Sequence, residues 1–217
     1  MKGYDSSQFE ILSVAVDLLT FTVEDNRLKV LMIKRDETPF AGKIALPGVF
    51  VGVNETLDAA AVRGIKEETG LKNIYYEQLY TFGDVKRDPR MRIISVAYMA
   101  LVPVGQLDYV AGERTSDAML VDVEDLLASR RSVAFDHKKI IEYGRQRLAN
   151  KVEYTDIAFH LVGEEFTLPE LQKVYEILLG RELYKANFRK KVADMIEETD
   201  YVTTGQAHRP SRLYRRK

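Results

Sequence analysis

The 217-residue sequence contains no cysteine, and none of its apolar runs approaches the roughly 20 residues that are needed to span a membrane. The absence of cysteine excludes disulfide bonds, thiolate nucleophiles and cysteine-ligated zinc, and is typical of a reducing compartment. The first residues, MKGYDSSQFE, lack a basic segment followed by an apolar core, so no signal peptide is expected. We therefore expect a cytoplasmic protein that makes no contact with membranes.

The near-neutral net charge of −1 conceals an uneven distribution of charge along the chain. Residues 181–217 contain ten basic and five acidic residues, a net charge of +5. The remaining residues contain 22 basic and 28 acidic residues, a net charge of −6. A basic tail on a mildly acidic body suggests a polyanionic partner, although a solvated charged terminus would have the same composition.

The first 150 residues alternate strand-like segments, turns and helices, which indicates an α/β domain. Two β-rich runs, Leu12–Val23 and Lys29–Lys34, are separated by a hairpin turn. A helix is predicted at Glu55–Thr69, because Thr56 can cap its start and Gly70 follows its end. Strands are predicted at Tyr75–Phe82 and Ile93–Pro103. A further short strand precedes the segment Val121–Leu127, which leads into a helix predicted at Asp136–Asn150.

Residues 151–217 change in character to short helices followed by a hairpin. Helices are predicted at Tyr154–Leu161, Thr167–Leu179 and Lys185–Met195, and the chain then turns at Gly205. Helices followed by a basic hairpin within so short a segment match a winged helix-turn-helix domain. We therefore predict two domains, at residues 1–150 and 151–217.

The segment Leu46–Leu71 (LPGVFVGVNETLDAAAVRGIKEETGL) contains charged residues at fixed spacing. The pattern closely resembles the Nudix box, G-x5-E-x7-R-E-U-x-E-E-x-G-U, in which U is a bulky aliphatic residue. The matching residues are Glu55, Arg63, Ile65, Glu67, Glu68, Gly70 and Leu71. The resemblance covers roughly Gln8–Asn150 and implies an α+β Nudix sandwich. Members of this family cleave a pyrophosphate linked to a nucleoside, using divalent metal and water.

The spacing of the box suits metal binding, but two positions depart from the family. Helix neighbours lie three and four residues apart, so positions 64, 67 and 68 form one patch that suits Mg²⁺ when all are carboxylates. Arg63 is expected to pair with Glu67. Here Val49 replaces the leading glycine, and Gly64 replaces a glutamate. We therefore expect Glu67 and Glu68 to bind metal weakly or not at all, no cofactor to be required, and the domain to bind a nucleotide with little or no hydrolysis.

Other segments resemble Nudix-related transcriptional regulators, in which a Nudix sensor precedes a winged helix. The resemblance lies in Thr81–Arg92 (TFGDVKRDPRMR) and in Phe135-Asp136-His137. Characterised branches respond to ADP-ribose or to a sugar, which implies ADP-ribose, a nucleotide sugar or a pentose as effector here. The implied ligand-binding residues are Arg35, Phe82, Arg87, Asp88 and Arg90. Arginine suits phosphate oxygens, and Phe82 suits stacking on a base. A rigid polar turn with an internal ion pair is the alternative interpretation of residues 87–90.

The helix at Lys185–Met195 is the predicted DNA-reading helix. Phe188, Val192 and Met195 recur at helical spacing and are expected to pack inward, which leaves the polar residues facing outward. The predicted DNA-binding residues are Lys185, Asn187, Arg189 and Lys190 on the helix and Arg209 and Arg212 around the wing. Asparagine can read adenine, whereas arginine and lysine read guanine or hold phosphate. A solvated amphipathic helix is the alternative.

Three classes of function remain open. A ligand-responsive regulator, a homodimer on a palindromic double-stranded DNA operator, is favoured by the altered box, the basic helix and the wing. An active Mg²⁺-dependent Nudix pyrophosphatase with an accessory domain is the alternative, which Glu67 and Glu68 support and Gly64 opposes. A module whose tail makes only protein contacts is the third, and the basic excess of the tail argues against it.

Overall fold

The computed structural model describes residue 7 and residues 11–71, 73–107, 118–203 and 210–217. Within that part of the chain a mixed seven-stranded sheet forms the N-terminal domain, and β1 and β6 pair in parallel at its centre. The strands are β1 (Ser13–Glu24), β2 (Arg27–Lys34), β3 (Ile44–Ala45), β4 (Gly48–Phe50), β5 (Tyr75–Phe82), β6 (Ile93–Leu101) and β7 (Ala118–Asp122). Helices lie on both faces, so the sheet is the middle layer of an α–β–α sandwich. The predicted α+β fold is confirmed.

The sandwich follows from alternation along β1 and β6, whose side chains point to opposite faces in turn. Val16 and Leu18 pack beneath helix α1 (Leu57–Thr69). Leu19 and Phe21 belong to the larger core on the other face, with helix α3 (His137–Lys151). Both strands are therefore apolar almost throughout, which explains the long apolar runs of the sequence.

Two helical glycines allow α1 and α3 to approach β1 closely. A Cβ built on Gly64 would lie 2.7 Å from Cδ1 of Leu18, and one on Gly144 would lie 2.1 Å from Cδ2 of Leu19. Both distances are shorter than real Cβ contacts, so a larger residue at either position would require the facing leucine side chain to shift.

The C-terminal domain is a winged helix, as predicted. A 3₁₀ turn (Ile157–Leu161) is followed by α4 (Leu168–Leu179), α5 (Lys185–Val192) and the antiparallel strands β8 (Ile196–Val202) and β9 (Arg212–Arg216). Phe166 forms an isolated bridge with Tyr214, which adds a minimal third strand. The predicted wing turn at Gly205 lies outside the described residues.

Three predicted segments differ from the structure. The helix predicted at Tyr154–Leu161 is only the 3₁₀ turn at Ile157–Leu161. Helix α5 ends at Val192 rather than Met195, because the chain turns there to begin β8 at Ile196. The segment predicted at Val121–Leu127 divides into the end of β7 and a short helix α2 (Val123–Ala128), which Asp122 caps by accepting a hydrogen bond from the Asp125 N–H.

The two domains share one continuous hydrophobic core. Leu148 and Val152 at the end of α3 are fully buried and belong to the same cluster as Phe188 and Val192 of α5. Among the described helices, none is long and apolar enough to cross a membrane.

Candidate functional site

The Nudix-box helix α1 has the two capping residues that the sequence predicts, although it begins at Leu57 rather than Glu55. The Thr56 hydroxyl accepts a hydrogen bond from the Ala59 N–H, and Gly70 adopts the left-handed conformation at the C-cap. Arg63 donates to both carboxylate oxygens of Glu55, at 2.9 Å each, and to the carbonyl oxygen of Phe50 at 3.0 Å. The hydrogen bonds from Arg63 hold the pKa of Glu55 at about 2. This charged pair therefore fastens the β4–α1 loop to the helix.

The predicted carboxylate patch of α1 is incomplete. Glu67 is half-exposed and lies 3.6 Å from the Arg63 guanidinium, which confirms the expected pairing. Position 64 faces the sheet, where Leu18 and Val49 fill the space in front of it. The side chain of Glu68 lies outside what the structure describes. Among the described residues, no group of three acidic or histidine side chains is placed to hold a metal ion. Of the three positions of the patch, the structure therefore describes a single carboxylate, that of Glu67.

A buried ionic network lies beside the box, beneath the 83–92 loop. Arg87 donates to Asp17 at 2.8 Å and to Asp136 at 2.8 and 3.2 Å, and only 4% of its side chain is exposed. Ser95 donates to the same Asp17 carboxylate at 2.5 Å. His137 accepts a hydrogen bond at Nδ1 from the backbone N–H of Leu46, which leaves its Nε2 proton directed at Asp17, 3.5 Å away. The network ties β1, β6 and the start of α3 to the loop.

This network determines which residues of the 87–90 segment are free to contact a ligand. Arg87 is fully engaged with two carboxylates, and buried Asp88 accepts three hydrogen bonds from Arg90. The alternative interpretation, a rigid polar turn with an internal ion pair, is therefore confirmed in its geometry. Arg90 remains 42% exposed, so it is the member of the segment that can reach a ligand.

A cleft of about 140 Å³ opens above the network, between β4, the 83–92 loop and the start of α3. Arginine and phenylalanine side chains alternate along it. The Arg35 guanidinium lies 4.9 Å from the ring centre of Phe135, and that of Arg90 lies 5.6 Å from Phe135 and 5.8 Å from Phe50. Phe135 has a φ of +53°, a conformation that is costly for a bulky residue.

The cleft brings together four of the five predicted ligand-binding residues. Arg35, Arg87, Asp88 and Arg90 line it, whereas Phe82 does not. Phe82 is buried against Tyr80 and Tyr143 between β5 and α3. The aromatic residues of the cleft are Phe50 and Phe135, which sequence reasoning did not assign as ligand contacts. Asp17, also missed, gave one signal, because it is an acid inside the apolar run of β1.

Helix α5 presents the predicted basic face. Phe188 and Val192 are buried, and the polar residues between them are exposed. The exposed residues are Lys185, Asn187, Arg189 and Lys190, and none of them has an ion-pair partner within the described ranges. Lys191 instead donates to the carbonyl oxygens of Val152 and Glu153 at 3.4 and 2.9 Å, so it faces the C-terminal end of α3.

The wing is less free to bind a polyanion than the sequence predicts. Arg212 is exposed but forms an ion pair with Glu198 across the β8–β9 ladder. Arg215 pairs with Glu197 at 3.3 Å. Arg209 lies outside the described residues. The unpaired positive charge of the described domain is therefore concentrated on α5.

Comparison with known families and proteins matches both domains. Residues 12–143 match the NUDIX domain, and residues 158–216 match the NrtR DNA-binding winged helix domain. The chain is 35% identical over 216 residues to the ADPR-responsive transcriptional repressor NtrR of Acinetobacter baylyi, covering 98% of this chain and 85% of that protein. It is 42% identical over 130 residues to the ADP-ribose pyrophosphatase of Methanocaldococcus jannaschii, covering 60% of this chain and 71% of that one.

Solved structures give the same result. The NrtR of Shewanella oneidensis in complex with a 27mer DNA has a TM-score of 0.84 at 36% identity, over 94% of this chain and 93% of that one. The NUDIX domain of the same protein in complex with ADP-ribose has a TM-score of 0.56 at 35% identity, over 67% of this chain and 94% of that one. The chain therefore belongs to the NrtR family, in which a NUDIX domain is followed by a DNA-binding winged helix.

Proposed function

We propose that this chain is an ADP-ribose-responsive transcriptional regulator of the cytoplasm, in which residues 1–150 bind the effector and residues 151–217 bind double-stranded operator DNA. The observation that carries the proposal is the presence, in one packed chain, of an arginine–phenylalanine cleft and an unpaired basic helix face. The relatives that respond to ADPR, bind ADP-ribose or bind DNA support both halves.

The chemistry of the cleft favours a nucleotide diphosphate over a simple pentose. A pyrophosphate needs cationic hydrogen-bond donors, and Arg35 and Arg90 both line the cleft. A nucleobase needs a flat apolar surface, which Phe50 and Phe135 offer. A pentose needs neither feature. A nucleotide sugar shares the diphosphate and base, so competition binding with ADP-ribose, UDP-glucose and ribose separates the three effectors.

We propose that bound ADP-ribose is sensed rather than hydrolysed. The carboxylate expected at position 64 is absent, and Leu18 and Val49 fill the space that it would require. ADP-ribose and Mg²⁺ should therefore yield no AMP and ribose phosphate in a chromatographic assay. Turnover within the ordinary enzymatic range of about 1–10³ s⁻¹ would contradict this.

DNA binding by α5 is tested with single alanine variants on a duplex from upstream of the gene, hereafter the upstream duplex, and on a scrambled duplex. Lys190→Ala and Arg189→Ala should weaken binding to both duplexes if they contact phosphate, and should reduce the salt slope by about one unit each. Asn187→Ala should cost about 1–3 kcal/mol on the upstream duplex alone if it reads adenine. Lys139→Ala, an exposed lysine of α3, is the control. Parental binding by all three α5 variants would disprove α5 as the reader.

We propose further that the regulator acts as a homodimer on a palindromic site. Helix-turn-helix proteins place two recognition helices one DNA turn apart, and a single short helix such as α5 reads only one half-site. Light scattering with and without the upstream duplex tests this. A 1:1 complex on the full duplex would contradict it.

A second candidate function is an active ADP-ribose pyrophosphatase. The observation that favours it is the intact Arg63–Glu55 clamp with Glu67 beside it, together with the similarity to the pyrophosphatase of Methanocaldococcus jannaschii. The same AMP-release assay decides between the candidates. Activity that Glu67→Gln abolishes would establish the hydrolase.

A further inference from the structure

The turn between α4 and α5 is held by two side chains of α4. Glu176 accepts a hydrogen bond from the backbone N–H of Leu183 at 3.0 Å. Gln172 donates to the carbonyl oxygen of Leu183 and to the Glu176 carboxylate, at 2.9 Å each. Both backbone groups of one turn residue are thus bonded to side chains. This fixes the direction in which the chain enters α5.

The residue that follows this fixed turn is an exposed tyrosine. Tyr184 occupies the N-cap of α5, makes no capping hydrogen bond, and has 83% of its surface exposed. Within the described part of the chain, its hydroxyl has no hydrogen-bond partner. Serine, threonine, aspartate and asparagine are preferred at an N-cap, and replacing them by residues that cannot cap costs about 1 kcal/mol. Neither capping nor core packing therefore accounts for tyrosine at this position.

We propose that Tyr184 is a DNA-contact residue whose hydroxyl donates a hydrogen bond to a phosphate oxygen at the rim of the major groove, and that Gln172 and Glu176 position it. The inference rests on the proposed DNA binding by α5. In helix-turn-helix proteins the first turn of the second helix approaches the base edges. The residue immediately before it lies at the groove edge, where phosphates are the acceptors.

The chemistry of this contact differs from that of its basic neighbours. A neutral hydroxyl forms a hydrogen bond with phosphate but releases no counterion. Its removal therefore lowers affinity without changing the dependence of affinity on salt, whereas removal of Lys190 reduces that salt slope. Phosphate contacts also do not discriminate between sequences, so the loss should be alike on the upstream and scrambled duplexes.

The first experiment compares Tyr184→Phe with Tyr80→Phe, a half-exposed tyrosine of β5, using the full chain and both duplexes at two salt concentrations. Tyr184→Phe should bind both duplexes roughly tenfold more weakly, as for one hydrogen bond to a charged acceptor, with an unchanged salt slope. Tyr80→Phe should bind like the parent. Parental binding by Tyr184→Phe would overturn the inference. If Tyr184→Phe binds like the parent but Lys190→Ala binds more weakly, only the Tyr184 contact is disproved. If both variants bind like the parent, the Tyr184 contact and DNA binding by α5 are both disproved.

The second experiment tests positioning by Glu176. Glu176→Ala should weaken DNA binding, and Glu176→Gln should restore it, because an amide oxygen can accept the same two hydrogen bonds. In a Tyr184→Phe background, Glu176→Ala should cost much less than in the parent, because the contact that it positions is already lost. An equal cost in both backgrounds would show that Glu176 serves folding alone and would overturn the positioning role.

Discussion

Val49 and Gly64 lie against each other between strand β4 and helix α1. A Cβ built on Gly64 would lie 3.4 Å from both methyl carbons of Val49 and 2.7 Å from Cδ1 of Leu18. These two residues are the two departures of the chain from the Nudix pattern. A side chain at position 64 would contact the valine as well as Leu18, so the two departures are neighbours in the packing.

This packing predicts that restoring the carboxylate alone destabilises the fold. Gly64→Glu should lower the free energy of unfolding by about 1–3 kcal/mol through overpacking, and should produce no hydrolysis of ADP-ribose. Urea denaturation measures the first effect and AMP release the second. Lys66→Glu, which adds the same group on the exposed face of α1, should stay close to the parent.

The double variant Val49→Gly/Gly64→Glu tests whether the two positions act together. It should lose less stability than the sum of the two single variants, because the glycine makes room for the new side chain. Strict additivity would show that Val49 and Gly64 are independent. A stable and hydrolytic Gly64→Glu single variant would show that only the missing carboxylate silences the box.

The cleft predicts a separation between stability and ligand binding. Arg87→Ala should lower the free energy of unfolding by about 3–5 kcal/mol, because it leaves the buried Asp17 carboxylate without its guanidinium partner. Phe50→Ala, at a half-exposed position, should change stability little but weaken ADP-ribose binding by about tenfold through lost stacking. Thermal unfolding and calorimetric titration measure the two effects. A stable Arg87→Ala variant with weak ligand binding would reverse the assigned roles.

Local signals in the sequence predicted the order of the elements and several helix ends. The predicted Thr56 cap and the following Gly70 mark the ends of α1, and the helix predicted at Thr167–Leu179 matches α4 to within one residue. Helix α5 was predicted three residues too long, because Met195 continues the apolar spacing although the chain has already turned. Periodicity shows which residues are buried but not when the chain changes direction.

The ligand site was harder to predict because it depends on tertiary burial. Phe82 and Phe50 are both aromatic residues near the expected groove. Phe82, at the end of β5, is buried against α3, whereas Phe50 lines the cleft. Arg87 and Arg90 are three residues apart, and only the pairing of Arg87 with Asp17 and Asp136 shows which is structural. Those partners come from distant parts of the chain, which short motifs do not report.

Burial of His137 predicts a pH dependence of stability. Burial lowers the pKa of this imidazole below its ordinary value of 6.5; Asp17 and Asp136 oppose the shift, and Arg87 and Arg35 add to it. The contribution of neutral His137 to the free energy of unfolding is therefore fully present above pH 6.5. Below that value the unfolded chain binds a proton that the folded chain does not, so the free energy of unfolding falls as pH is lowered.

Chemical denaturation between pH 7.5 and 5.5 measures this effect, with His137→Gln as the comparison. The parent should lose more stability than the variant over this range, because the variant has no imidazole at position 137 to protonate on unfolding. Parallel pH profiles for the two proteins would show that His137 does not contribute.

Contacts at the domain junction predict which residues couple the two sites. His160 stacks on Tyr75 of β5 with ring centres 4.4 Å apart, and its Nε2 lies 3.5 Å from the Arg216 guanidinium of β9. His160→Ala should leave the separate affinities for ADP-ribose and DNA near those of the parent, but should reduce the effect of one ligand on the other. Tyr154→Ala, an exposed residue near the junction, is the control. If ADP-ribose changes the DNA affinity of His160→Ala as much as that of the parent, the His160 contacts do not couple the two sites.

The most direct test of ligand-responsive DNA binding is the affinity of the full chain for the upstream duplex, measured with and without saturating ADP-ribose at fixed salt. The shared core between the domains and the cleft on the sheet predict that ADP-ribose changes this affinity by about 5- to 150-fold, the usual range for coupling between two sites. Equal affinities with and without ADP-ribose, under conditions in which calorimetry shows the ligand bound, would contradict the account.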